Sequence, residues 1–301
     1  MKLDAIVLPL VRLALTEDLG GGDVTTDAVV DADTPAVAHI EARAEGVLAG
    51  SLAATLAFRE LDPGAALDWK VKDGGDLAKG TRVCEIRATA RAILSAERVA
   101  LNFLQKLSGI ATQARAFVRA VEGTGVTILD TRKTTPCLRL LEKLAVRSGG
   151  ATNHRFGLYD EILVKENHIA AAGSLGEAIA RVRRANTELP VVVEARTPEE
   201  AQEAAGLGVD RILLDNFTPS RIADLVKRLG RPGGTGKGAA AAGAKPAPVF
   251  EVSGGVRLAN VREFAIPGVS FISVGALTHS APALDLSLLV DSVGRGGAAR
   301  A

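Results

Sequence analysis

The chain has 301 residues, enough for one large domain or two smaller ones around a sizeable core. Its 47% apolar and 24% charged residues are those of an ordinary globular protein. With 3% aromatics and a net charge of +1, base stacking on an aromatic platform, a nucleic-acid coat and an anionic membrane surface are all excluded as modes of action.

Residues 1–20, MKLDAIVLPLVRLALTEDLG, set Asp4, Arg12, Glu17 and Asp18 among apolar positions. They read as an amphipathic helix with a stripe of Leu3, Val7, Leu10, Val11 and Ala14, stopped by Gly20-Gly21-Gly22, and not as a signal peptide. No run approaches the ~20 apolar residues that span a bilayer. Cys84 and Cys137 have neither metal-ligand nor disulfide spacing and read as reduced thiols, so a soluble cytoplasmic enzyme is the expectation. His39, in the early strand region, carries no signal.

VKDGGDLAKGTRVCEI (71–86) alternates apolar and polar residues around glycine turns, which predicts short antiparallel strands. Lys79 sits beside a turn glycine but lacks the Met-Lys-Met setting of a biotinyl or lipoyl carrier. Val99, Phe103, Leu107, Ile110, Ala114, Phe117 and Val121 predict a long helix over 96–121, capped by Ser95 and ended by Gly123 and Gly125.

From there short β-branched runs alternate with helical segments: 126–129, 162–164, 191–193, 211–214, 249–252 and 270–274. Such runs build a parallel sheet buried on both faces. A closed or nearly closed α/β barrel fits them better than an open sheet, although a doubly wound sheet stays open. The Gly/Ala/Pro-rich segment 230–248 reads as a mobile surface loop and the tail GRGGAARA as frayed.

Residues 130–168 carry the strongest functional signal. Between Arg132 and Arg155 lie Arg132, Lys133, Arg139, Lys143, Arg147 and Arg155 against the single acid Glu142, a local net charge of about +5 in a nearly neutral chain. That marks a site for a small anion, although Arg139, Lys143 and Arg147 recur every fourth residue and also fit a solvated helix face. Arg132-Lys133 and His154-Arg155 set forked and point-like donors side by side, as multiply charged carboxylates or phosphates require. His168 reads as a cap or packing residue.

The residues after the strand runs are polar or glycine: Asp130, Lys165, Glu194, Asp215, Ser253-Gly254-Gly255 and Gly275. In a barrel they converge on the carboxyl-terminal mouth, where such folds carry their chemistry. The glycines after the last two runs, beside a helix start expected at Thr278–Ser280, suggest a phosphate cradle. Two tight turns are the bland alternative.

Taken together, EDLGGGDVTT (17–26), ARAILSAERVALNFLQKLSGIAT (90–112), DTRKTTP (130–136), NHRFGLYD (153–160), KENHI (165–169), LLDNF (213–217), EVSGG (251–255) and ISVGALTHSAPALDLSL (272–288) resemble the quinolinate phosphoribosyltransferase family. The resemblance covers nearly the whole chain. It implies an amino-terminal α/β sandwich domain (1–113 with 280–301) and an incomplete, about seven-stranded α/β barrel (114–279), in a cytoplasmic homodimer or higher homo-oligomer with shared active sites.

It further implies transfer of phosphoribosyl from phosphoribosyl pyrophosphate to quinolinate, with loss of pyrophosphate and CO2, to give nicotinate mononucleotide for NAD synthesis. On that reading Arg132, His154, Arg155 and Lys165 hold the dicarboxylate with Arg98 of a partner, and Lys133 leans toward phosphoribosyl pyrophosphate. Glu194 and Asp215 face the ribose and a Mg²⁺ ion, while Ser253, Gly254, Gly255, Gly275 and His279 cradle the 5-phosphate.

The chain departs from the pattern at Val192, where a second glutamate is usual, so a thinner inner polar layer is expected. It departs also at Cys137 and Ser148, where glycine and cysteine are usual, and in the length of the 230–248 insertion. Activity is expected to survive these changes. Three other readings compete: a pyrophosphorylase for another aromatic acid, a Schiff-base aldolase using Lys165, and a non-catalytic phosphosugar sensor.

Overall fold

The computed structural model describes residues 3–185, 188–230 and 249–294, so most of the 230–248 segment and all but Gly294 of the tail lie outside the described residues. In chain order the elements begin α1 (Leu3–Leu19), α2 (Val24–Val29), β1 (Pro35–Ala42), β2 (Gly46–Val47), α3 (Ser51–Leu61), β3 (Ala66–Trp69), β4 (Asp76–Leu77) and β5 (Arg82–Thr89). They continue with α4 (Ala90–Ala120), β6 (Thr127–Leu129), α5 (Arg139–Ser148), β7 (Ile162–Val164), α6 (Glu166–Ala172), α7 (Leu175–Arg184) and β8 (Val191–Ala195). The last are α8 (Pro198–Leu207), β9 (Arg211–Asp215), α9 (Pro219–Leu229), β10 (Val249–Ser253), α10 (Val261–Phe264), β11 (Val269–Ser273), α11 (Ala276–His279) and β12 (Leu286–Val293).

These elements fall into two compact units: Met1–Arg115 with Thr134–Gly150 and Leu277–Ala301, and Ala116–Lys133 with Ala151–Ala276. Thr134–Gly150, which the sequence places with the barrel segment, clusters with the first unit.

In the first unit an antiparallel sheet of order β12-β1-β5-β3 carries helices, and β2 pairs β4. The end of the chain thus returns to pair with its beginning, Ala42 opposite Leu286. Ala38, Ile40, Ile86 and Phe58 are fully buried here, and each large apolar side chain so buried contributes about 1.5–3 kcal/mol. Helix α1 buries Val7, Val11 and Leu15 and ends at Leu19, where Gly20 takes φ +52.

Helix α4 starts six residues before the expected boundary. Ala90, Ala92 and Ile93 are buried helix formers, so Ser95 is interior, and its hydroxyl donates to Asp23 at 3.0 Å instead of capping. On α5, Lys143 is 2% exposed and Glu142 wholly buried, with Glu142 3.2 Å from the Lys106 ammonium. The every-fourth-residue repeat of cations is therefore not a solvated face at its middle member.

Cys137 has φ +65, a backbone state that costs an L side chain about 1–2 kcal/mol. That is the physical reason a glycine suits the position. We expect Cys137→Gly to raise stability by about 0.5–1 kcal/mol in urea denaturation, the relief being partly offset by glycine's greater unfolded-state freedom. A fall in stability would count against the strain. Both cysteines are free thiols; Cys84 is buried, which pushes its thiol up to about 12.

The second unit holds a parallel sheet of order β6-β11-β10-β9-β8-β7, built from the six runs expected. The strand first in sequence pairs with the last, Ile128 beside Ile272, as a closing barrel requires. Beyond β6 a single parallel bridge, Leu129 to Thr152, stands where a further strand belongs, which makes this an incomplete barrel. Ile128, Val192, Ile212, Val252 and Ile272 are at most 1% exposed, the continuous burial of a sheet covered on both faces. Two strand-to-helix turns use the same punctuation: Thr197 caps α8 before Pro198, and Thr218 caps α9 before Pro219. These stops fix where the strands β8 and β9 end. No helix among the described residues is long and apolar enough to cross a membrane.

Candidate active site

Asp130 follows β6 with no exposed surface. Its carboxylate accepts the Asn153 amide at 2.7 Å and the His154 backbone N–H at 2.8 Å, so it braces the next loop and does not open into a mouth. At the far end of that loop the Asp160 carboxylate accepts the N–H groups of Phe156 and Gly157, at 2.6 and 2.9 Å. Between these two anchors sits Arg155. Its backbone N–H donates to His154 Nδ1 at 2.7 Å and its Nη1 to the Glu161 carbonyl at 3.0 Å. Burial first, and the neighbouring Arg132 cation second, hold the Arg155 guanidinium below its usual value. Arg132 thus adds positive charge to the surroundings of Arg155, which favours an anion there.

Lys165, directly after β7, places its ammonium 2.9 Å from Glu194 on neighbouring β8. Arg196 continues the chain of charges to Glu166 at 3.0 Å and Glu194 at 3.8 Å. The Glu166 carboxyl sits below the usual range, chiefly through a hydrogen bond to its own backbone and, against the opposing effect of burial, through Arg196. His168 caps this segment, its Nδ1 accepting the Lys165 N–H at 3.0 Å.

One strand further, Asp215 ends β9 and lies in register with Ser253 at the end of β10. Gly254 and Gly255 follow with φ +88 and +67, two consecutive residues in the left-handed region that favours glycine. Asn216, at φ +59, donates its N–H to the Ser253 carbonyl at 2.8 Å and its amide to the Asp215 carboxylate at 2.8 Å. Gly275 follows β11, and the helix after it starts at Ala276 and ends at His279, two residues ahead of the expected start. Among the described residues no three His, Cys, Asp or Glu side chains form a metal cage. Two carboxylates, Glu194 and Asp215, on adjacent strands suit a hard cation held mainly by phosphate oxygens and water.

Residues that sequence reasoning missed lie on the inner face. Arg211 on β9 donates to Glu251 on β10 at 2.8 Å and to Glu161 at 2.9 Å. Ser273 on β11 donates to the other Glu251 oxygen, which also lies 3.3 Å from His154 Nε2. Burial pushes the Glu251 carboxyl up, but the His154, Ser273 and Arg211 contacts outweigh it and leave the group below the usual carboxylate range. Val192 is fully buried, in register with Arg211, and Glu161 and Glu251 supply the carboxylates that Arg211 meets. Arg132, His154, Arg155, Lys165, Glu194, Asp215, Ser253, Gly254, Gly255 and Gly275 all lie on strand ends and loops of the second unit.

Other expected residues lie elsewhere. Lys133 is exposed after the Asp130 turn, its N–H on the Thr131 hydroxyl at 3.1 Å. Arg98, on α4, and His279, 2.6 Å from the Ser280 hydroxyl, belong to the first unit. The basic run also divides, since Arg132, Lys133 and Arg155 fall in the second unit and Arg139, Lys143 and Arg147 in the first.

A nearly closed parallel barrel with Arg132, Arg155, a lysine–glutamate pair and a glycine turn on its strand ends and loops defines an α/β-barrel enzyme for small anionic substrates. The sequence profiles of the amino- and carboxyl-terminal domains of quinolinate phosphoribosyl transferase match residues 23–108 and 110–289. The chain belongs to this family. It is 42% identical over 274 residues to a probable nicotinate-nucleotide pyrophosphorylase [carboxylating] of Bacillus subtilis, covering 90% of this chain and 89% of that one. It is 39% identical over 296 residues to quinolinate phosphoribosyltransferase [decarboxylating] 1b of Nicotiana tabacum, covering 94% and 82%. The solved nicotinate-nucleotide pyrophosphorylase of Francisella tularensis superposes with a TM-score of 0.87 at 36% identity, over 96% of this chain and 98% of that one.

Proposed function

We propose that this protein transfers the phosphoribosyl group of phosphoribosyl pyrophosphate to quinolinate and decarboxylates the adduct to nicotinate mononucleotide, a step of NAD synthesis. The observation that carries this reading is the match of the chain to both domain profiles of this family, with the Arg155 guanidinium held by the Glu161 carbonyl at 3.0 Å. Arg132, Arg155 and Lys165, with His154 beside them, bind the two carboxylates, and Arg98 of a second copy completes the set in a cytoplasmic homodimer or larger assembly. Lys133 approaches the pyrophosphate. Glu194 and Asp215 face the ribose, where they stabilise positive charge growing at the anomeric carbon. Ser253, Gly254, Gly255, Gly275 and His279 receive the 5-phosphate.

The pyridine nitrogen forms a bond to the anomeric carbon as the bond to pyrophosphate breaks, its electron pair leaving with pyrophosphate. The bond from the ring to the adjacent carboxylate then breaks, its electrons drawn toward the cationic ring nitrogen, and a proton replaces CO2. Glu194 and Asp215 would hold a Mg²⁺ ion, which would supply charge neutralisation of the leaving group.

The test offers quinolinate and nicotinate separately, each with phosphoribosyl pyrophosphate, and follows pyrophosphate and CO2. Turnover of quinolinate is expected; equal or faster turnover of nicotinate overturns the substrate assignment. Binding of both substrates without pyrophosphate release favours a sensor instead.

A further inference from the structure

Glu251 is wholly buried in the middle of β10, and a carboxylate there is a costly replacement for an apolar core residue. Its contacts lead to one place. Through His154 Nε2 at 3.3 Å it reaches a ring whose Nδ1 accepts the Arg155 N–H at 2.7 Å. Through Arg211 at 2.8 Å it reaches Glu161, whose carbonyl accepts Arg155 Nη1 at 3.0 Å and whose carboxylate lies 3.4 Å from His154 Nδ1. Arg211 is further fixed over the Phe271 ring, 5.0 Å from its centroid. The Arg155 backbone and guanidinium are therefore each tied, by separate routes, to the same buried acid.

We propose that Glu251 and Glu161 are positioning residues for the dicarboxylate site: acting through His154 and Arg211, they aim the Arg155 guanidinium at the carboxylate it binds alongside Arg132. This rests on the quinolinate reading above. Neither acid touches substrate. Their role is to hold a guanidinium against the repulsion of its neighbour, in the orientation that a two-pronged contact demands. Because the ties converge on Arg155 and not on the Asp215–Gly255 end of the sheet, the effect is confined to one substrate.

Steady-state kinetics of Glu251→Gln test this, since the amide keeps the shape and removes the charge that Arg211 and His154 answer. The KM for quinolinate is expected to rise at least tenfold, with the KM for phosphoribosyl pyrophosphate within twofold and kcat within threefold. Glu161→Gln, which leaves the carbonyl contact to Arg155 in place, is expected to give a smaller rise of the same selectivity and carries the test if Glu251→Gln does not fold. In an Arg155→Lys background, Glu251→Gln is expected to add less than twofold, because the path it supports is already lost. Equal rises in both KM values accompanied by a lower melting temperature, or an unchanged quinolinate KM in a folded variant, overturn the proposal. Wild-type protein that does not turn over quinolinate brings down the functional reading and this proposal together; active wild type with an unselective variant brings down only the latter.

Discussion

Arg132→Lys is expected to raise the KM for quinolinate about 10- to 100-fold while leaving the KM for phosphoribosyl pyrophosphate within about twofold, because each charge-assisted hydrogen bond to a carboxylate contributes about 1.5–3 kcal/mol and every ~1.4 kcal/mol is tenfold in affinity. Arg132 contributes positive charge to the surroundings of Arg155. An ammonium at 132 preserves that charge. It cannot reproduce the planar fork, so one of two parallel hydrogen bonds to the same carboxylate is lost, and the flexible lysine stem must be ordered anew. Steady-state kinetics with each substrate varied in turn measure the effect. Wild-type constants in a folded Arg132→Lys protein show that the residue serves only local structure and remove one of the two supports of the dicarboxylate assignment.

Much of this architecture is legible from residues alone, and the reason is local. Runs such as Val191–Val193 and Ile212–Leu214 are short, apolar and followed by an acidic residue, so each strand announces itself without its neighbours. The strand-end residues Lys165, Glu194, Asp215 and Ser253 follow from the same bounds. What stays hidden depends on pairing across the fold. The Arg211–Glu251 and Arg211–Glu161 contacts join residues 40 and 50 positions apart, and an arginine opening a strand reads as a solvated end. Burial of Asp130 and Lys143 is equally invisible, since each sits in a stretch that suits a polar surface. The basic run misleads for a related reason: its cations are contiguous in sequence but are divided between two compact units. Ser95 misleads differently, having the chemistry of a cap, which the helix formers before it override by extending α4 backwards.

The glycine turn offers a second large effect, on the other substrate. A Cβ at Gly254 would lie 2.2 Å from Asn216 Oδ1, 2.6 Å from its Cγ and 2.9 Å from its backbone nitrogen, at φ +88. No rotamer of a flexible side chain can relieve this, because the Asn216 backbone is itself tied to the Ser253 carbonyl and its amide to Asp215. Gly254→Ala therefore forces the β9 and β10 ends apart, and the Asp215 carboxylate moves with them. We expect at least a hundredfold fall in kcat/KM for phosphoribosyl pyrophosphate and a stability loss of about 1–3 kcal/mol from the strained backbone and the displaced loop. Gly255→Ala is the matched control. It has a similar φ of +67 but nothing within 4 Å of the added carbon, so it carries only the conformational cost of about 1–2 kcal/mol. If the turn binds the 5-phosphate through its backbone, Gly254→Ala damages phosphoribosyl pyrophosphate use far more than Gly255→Ala at comparable stability. Equal kinetic losses in the two variants would mean that backbone strain alone governs the turn, and the phosphate assignment would lose its structural basis.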